Sequence, residues 1–237
     1  MSAIKERPIL FSGPMVRAIL DGRKTVKRRA MKVQPHDGAS VTVERFNTTV
    51  TDRQGNQDAG PEVFGAWWSD GECSLTCPYG QPGDRLWVRE TWSVEMLAGY
   101  SEEGGYSSEY ELRYRADDSE REISVAAGEP DPWINLYDSQ RGEWRPSIHM
   151  PRAACRILLE VTDVRVERLQ DITGDQAEAE GGDSAMCRQF LETSPSRHEC
   201  KEAVIHGFAG LWASINGDDS WHANPWVWLV EFKRIEQ

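Results

Sequence analysis

Gly22-Arg23-Lys24-Thr25-Val26-Lys27-Arg28-Arg29 places five cations in eight residues. The octet follows Met15, Val16, Ile19 and Leu20, an apolar stripe at the spacing of one helix face. Gly22 suits the end of that helix, because glycine enters the left-handed conformation without strain. The cations therefore stand at the exit of a short helix. Arg28 to Val33 predicts the strand that follows. Upstream, Pro8-Ile9-Leu10-Phe11 reads as a short buried strand. Ser12 reads as an N-cap, and Pro14 as a first-turn residue whose missing N–H costs nothing.

The octet runs against the charge of the chain. The 237 residues carry a net charge of −12. Residues 1–34 hold nine Lys/Arg and two Asp/Glu, so that segment is +7 and the remainder is −19. A local excess of cations on an acidic body calls for an anionic ligand. The acidic body argues against long non-specific tracking along duplex DNA, where affinity comes from many phosphate contacts. A nucleoside, a nucleotide or a short single-stranded nucleic acid fits better. No apolar run approaches the ~18–20 residues of a membrane span. Met1 to Glu6 lacks the apolar core of a signal peptide, so a cytoplasmic location without membrane attachment is expected.

Cys73, Cys77, Cys155, Cys187 and Cys200 are odd in number and irregular in spacing. Four of the ligands for a zinc site could come from Cys73, Cys77, Cys187 and the His198/Cys200 pair. No second compact Cys pair anchors such a site, so free thiols and no metal are expected. No organic cofactor is called for either.

Further along, residues 34–62 and 99–131 are polar and rich in turn formers. They read as two insertions, the first with a hairpin near Val41–Val43 and the second with a strand-like piece at Tyr110–Tyr114. Arg85 to Arg89 predicts a strand leading into Glu90-Thr91-Trp92. Ala154 to Leu169 predicts a long strand. Thr173-Gly174-Asp175-Gln176 matches a capping box, starting a short helix that Gly181-Gly182 ends. Val204, Phe208, Leu211, Trp212 and Ile215 predict a second amphipathic helix, and Trp226 to Lys233 a closing strand with Trp226 and Trp228 in the core. This order contains no regular βαβ alternation. The expected fold is α+β: one domain, 1–237, built as a small mixed or antiparallel barrel flanked by helices.

Gly22-Arg23-Lys24-Thr25-x-x-Arg28-Arg29 resembles the signature of ASCH domains, which belong to the PUA-like β-barrel superfamily. Cys77-Pro78-Tyr79-Gly80, Gly83 to Trp92, Trp144 to Arg152 and Asp171 to Gly182 resemble segments of the longer ASCH-like proteins of phages and prophages. The resemblance implies a barrel whose cleft receives a nucleobase or nucleotide. Small bacterial ASCH proteins hydrolyse the amide of N4-acetylcytidine with a Lys, a Thr three residues later and a Glu on a later helix. Lys24 matches the lysine and Glu180 the glutamate, while the threonine position holds Lys27. A hydroxyl is therefore missing from the catalytic set, and Thr25 lies on the opposite face of an extended segment. Either one amine takes over, helped by a depressed pKa beside another cation, or hydrolysis is lost and only binding survives.

In that reading Lys24, Lys27 and Glu180 are the catalytic candidates. Arg28 and Arg29 would hold a phosphate or a base edge, with Thr25 beside them. Glu90 would accept an exocyclic amine or join an ion pair with Arg89 or Arg29. Trp92 would stack on a base. The alternatives are a non-catalytic reader of RNA or modified DNA, and a ribonuclease pairing His149 with Lys24.

Overall fold

The computed structural model describes residues 4–68, 73–102, 105–180 and 197–236. Five strands form one sheet in the order β1-β6-β10-β11-β2: β1 Glu6–Leu10, β6 Arg85–Arg89, β10 Leu158–Arg168, β11 Trp226–Ile235 and β2 Val26–Ala30. Strand β11 lies between β10 and β2, and Val227, Trp228, Leu229 and Val230 are all buried. A strand covered on both faces needs a continuous apolar run rather than alternation. Its antiparallel register with β2 sets Lys27 opposite Val230 and Arg28 opposite Leu229. The basic strand is therefore laid along the most apolar strand of the sheet.

The chain divides into two compact units. The first comprises Met1–Arg7, Gly22–Leu86 and Leu159–Ile235. It holds the antiparallel sheet of β3 Thr42–Thr51, β4 Gln57–Trp68 and β5 Cys73–Thr76. Helices α3 Gly174–Ala179 and α4 Arg197–Asn216 pack around Leu169, Ile172, Ala177, Val204, Phe208, Trp212 and Val227. The second unit comprises Pro8–Asp21, Trp87–Leu158 and Glu236–Gln237. It contains α1 Gly13–Leu20, α2 Pro132–Asp138 and the antiparallel sheet of β7 Trp92–Glu102, β8 Gly105–Tyr114 and β9 Ser119–Val125. Its core gathers Trp92, Val94, Tyr110, Leu112, Tyr114, Trp133 and Met150.

The fold is thus α+β with three sheets, and the described strands of the main sheet run in open order between β1 and β2. Among the described residues no helix is long and apolar enough to cross a membrane. The two polar stretches are largely strands rather than irregular insertions. Strand β3 is exposed or half-buried along its length, which hides its alternation, whereas β8 buries Ser108, Tyr110, Leu112 and Tyr114 on one face and β9 alternates half-buried with exposed residues. Strand β2 starts at Val26, two residues before the expected Arg28. Trp226 is only half-buried, with the Arg168 guanidinium 4.7 Å from its ring. The Gly181-Gly182 stop lies outside the described residues.

Helix α3 is short, and its N-terminus is secured by the expected capping box. The Thr173 hydroxyl accepts from the Gln176 amide, and the Gln176 side chain accepts from the Thr173 amide. Thr173→Ala should cost about 1 kcal/mol of stability, measured by chemical denaturation, and should raise amide exchange across α3.

Candidate functional site

Two carbonyls at the C-terminal end of α3 would otherwise lack intrahelical donors. The basic octet supplies them. The Thr25 amide donates to Ala179 O at 3.0 Å, and Lys24 Nζ donates to Glu180 O at 2.6 Å. Lys24 Nζ also donates to Val26 O at 2.7 Å and to Glu180 Oε2 at 2.8 Å. Three acceptors this close require three N–H bonds, which only the ammonium form has. A cation at this end of a helix is also favoured by the helix dipole. Burial pushes the Lys24 amine below the ordinary lysine range, against the pull of Glu180, which raises it.

Glu180 serves a second cation. Arg28 Nη1 donates to Glu180 Oε1 at 3.2 Å, while Arg28 Nη2 donates to Gln176 Oε1 at 2.9 Å and to Glu167 Oε2 at 3.4 Å. Lys24, Arg28 and Glu180 are all buried. Glu167 is half-buried and also accepts from Arg165 Nε at 2.6 Å. Arg28 is thus held by protein groups on both of its Nη atoms rather than presented as an open fork.

Lys27 is buried as well, at 6% exposure. Burial first, and then the charges of Arg29 and Lys24, lower its amine from 10.5 to about 7, with Glu180 opposing. Lys27 and Arg29 are two apart on β2 and so share a face of the strand. Arg29 is exposed, as is Thr25. Tyr79 belongs to the same surroundings: burial pushes its hydroxyl up to about 12, against the pull of the Arg29 charge. Chemically the cluster offers a fixed ammonium, an amine that exchanges its proton near neutrality, and an exposed guanidinium.

The remaining candidates belong to the other unit and do different work. Glu90 is 1% exposed and forms a two-pronged pair with Arg156, at 2.8 Å from both Nε and Nη2. Its partner is neither Arg89 nor Arg29. Arg156 also binds Asp117 at 2.9 Å, donates to Ser119 Oγ, and lies 4.2 Å from the Tyr114 ring centroid. Glu90 is therefore a buried structural carboxylate rather than a reader of an exocyclic amine. Trp92 is 0% exposed and part of the core, so it offers no face to a base. His149 is exposed at the end of a 3₁₀ turn, in the unit that does not hold Lys24.

Cys73, Cys77 and Cys155 are free thiols. Cys187 lies outside the described residues, as do the side chains of His198 and Cys200. The sequence reading missed Gln176, Glu167 and Tyr79. Gln176 was visible only as a capping residue, and nothing local marks Glu167 or Tyr79 as neighbours of the octet. No family model, curated protein or solved structure matches the chain.

Two measurements probe this arrangement. Lys24→Met strips Glu180 of its closest cation and should cost about 3–5 kcal/mol, the usual penalty for breaking a buried pair, in a urea titration. Lys27→Met should alter the pH dependence. Between pH 7 and 10.5 the unfolded lysine binds a proton that the folded one does not, so native stability rises with pH across that window. Below pH 7 both states are protonated, and the contribution is absent. The stability difference between the native chain and Lys27→Met should therefore shift in favour of the native chain from pH 7 upward. Its slope should be at most about 1.4 kcal/mol per pH unit. A difference that stays flat would show that Lys27 keeps an ordinary lysine pKa.

Proposed function

We propose that the chain binds a nucleobase or nucleotide at the Lys24–Lys27–Glu180 cluster and hydrolyses an N4-acylated cytidine-type base there. The observation that carries this reading is Lys27. An amine brought to about 7 by burial and two neighbouring cations is poised between its two forms at neutral pH. Neutral Lys27 takes a proton from water as the hydroxyl adds to the acyl carbon. The resulting ammonium returns that proton to the departing exocyclic nitrogen as the C–N bond breaks. The products are the free amino base and a carboxylic acid, which ionises in solvent.

Lys24 supplies fixed positive charge near the developing oxyanion, and Glu180 holds Lys24 and Arg28 in place. Exposed Arg29, with Thr25, meets a phosphate or a base edge. In the same reading the main sheet is the core of an ASCH-type, PUA-like barrel. The antiparallel β2–β11 pair and the α3 terminus that receives Lys24 support it.

One observation favours the rival reading, a non-catalytic RNA or modified-DNA reader. Both Glu180 oxygens already face cations, so this carboxylate is poorly placed to orient water.

Incubation with N4-acetylcytidine, followed by chromatography, decides between them. Cytidine and acetate should appear, with kcat/KM rising through an apparent pKa near 7 and lost in Lys27→Met. Absence of product, with salt-sensitive binding of cytidine or a short single-stranded RNA retained, would replace the hydrolase with the reader.

A further inference from the structure

A cavity of about 130 Å³ in the first unit is bordered by Lys5, Arg7, Arg45, Glu62, Cys77 and Asp84, and by no residue of the octet. Its three cations outnumber its two carboxylates, and both carboxylates are already engaged. Asp84 is buried and accepts from the Lys5 amide at 3.0 Å, Arg7 Nη1 at 2.7 Å and the Gln81 amide at 3.2 Å. Against the cost of burial, these donors hold its carboxyl below the usual range. Glu62 faces Arg45 at 3.2 Å in an exposed pair, which is weak and easily exchanged. Arg7 meets Asp84 through Nη1 alone, and the Lys5 ammonium has no bonded partner among the described residues.

One wall of the cavity is closely packed against the Arg7–Asp84 pair. Gly80 also lines it, at φ +90°, and a Cβ there would fall 2.4 Å from both Arg7 Nη1 and Asp84 Oδ2. Burial pushes the Cys77 thiol up to about 11, so no thiolate competes with an incoming anion. The volume is close to that of cavities that hold one benzene-sized molecule. It accommodates a phosphate group and little more.

We infer that this cavity binds a small oxyanion, as free phosphate or as the terminal group of a phosphomonoester, on the charges of Lys5, Arg7 and Arg45. Guanidinium forks match the paired oxygens of such a group, and Lys5 adds a mobile point charge at the rim.

The test is titration of the full chain with inorganic phosphate, followed by amide chemical shifts, against chloride at matched ionic strength. Saturable shifts at Gly80 and Gln81 are expected. Lys5→Ala and Arg45→Ala, both at exposed positions that leave the Arg7–Asp84 pair intact, should each weaken phosphate binding at least fivefold. Lys32→Ala, an exposed cation outside the cavity, should leave it unchanged. Ribose 5-phosphate binding more tightly than phosphate would assign the site to an ester, and weaker binding to the free anion. No saturable shift with phosphate, or equal weakening in Lys32→Ala, would overturn the proposal.

Discussion

The Lys24 ammonium, caught between the Glu180 carboxylate and the carbonyl end of α3, is the contact on which the rest of the site depends. It satisfies a helix terminus, neutralises a buried carboxylate and pins the start of β2 to α3. Each group explains the burial of another. Without Lys24, the carboxylate would face Arg28 alone, and a backbone carbonyl would lose its donor. Without Glu180, two buried cations would lie close together with one carboxylate fewer to offset them.

That arrangement is matched in charge for Lys24 and Arg28, but Lys27 enters it as a further buried cation. Burial disfavours its charge, and of the charges acting on it Arg29 and Lys24 share its sign while only Glu180 opposes them, so the neutral amine is favoured. The other unit shows the contrasting case. Arg156 meets Glu90 and Asp117, whose two negative charges outweigh its one, and its guanidinium is held more firmly protonated than usual. One cluster is a locked structural knot. The other leaves a single group free to exchange a proton near neutral pH.

Much of this was legible, for identifiable reasons. The helix ending at Gly22, the capping box at Thr173 and the buried strand from Trp226 all rest on local signals, and local signals survive in a sequence. Of the β3–β4 hairpin only the start, near Val41–Val43, was legible, because the rest of β3 is exposed or half-buried and has the composition of a loop. Lys27 and Arg28 are adjacent and hence on opposite faces of β2, yet both are buried. Alternation alone assigns one of them to solvent. Glu90 and Arg156 lie 66 positions apart, and no pattern between them announces the pair. Trp92 looked available for stacking because aromatic residues serve cores and ligands alike. Only its place within the core separates the two.

On the proposed ASCH-type reading, an amine where the family signature has a hydroxyl, at position 27, also constrains what reaction the site could perform. A hydroxyl that attacks an amide forms an ester, which water hydrolyses readily, so the group is regenerated. An amine that attacked the same carbon would form a new amide, as stable as the one it broke, and the protein would stop after one turnover. Turnover with Lys27 therefore requires water as the nucleophile and the amine as a carrier of its proton. That role needs an amine neutral at working pH and close to a fixed positive charge. Burial of Lys27 beside Lys24 and Arg29 meets the first need, and the Lys24 ammonium meets the second. In that proposal, an amine at position 27 closes the acyl-enzyme route and leaves the general-base route open.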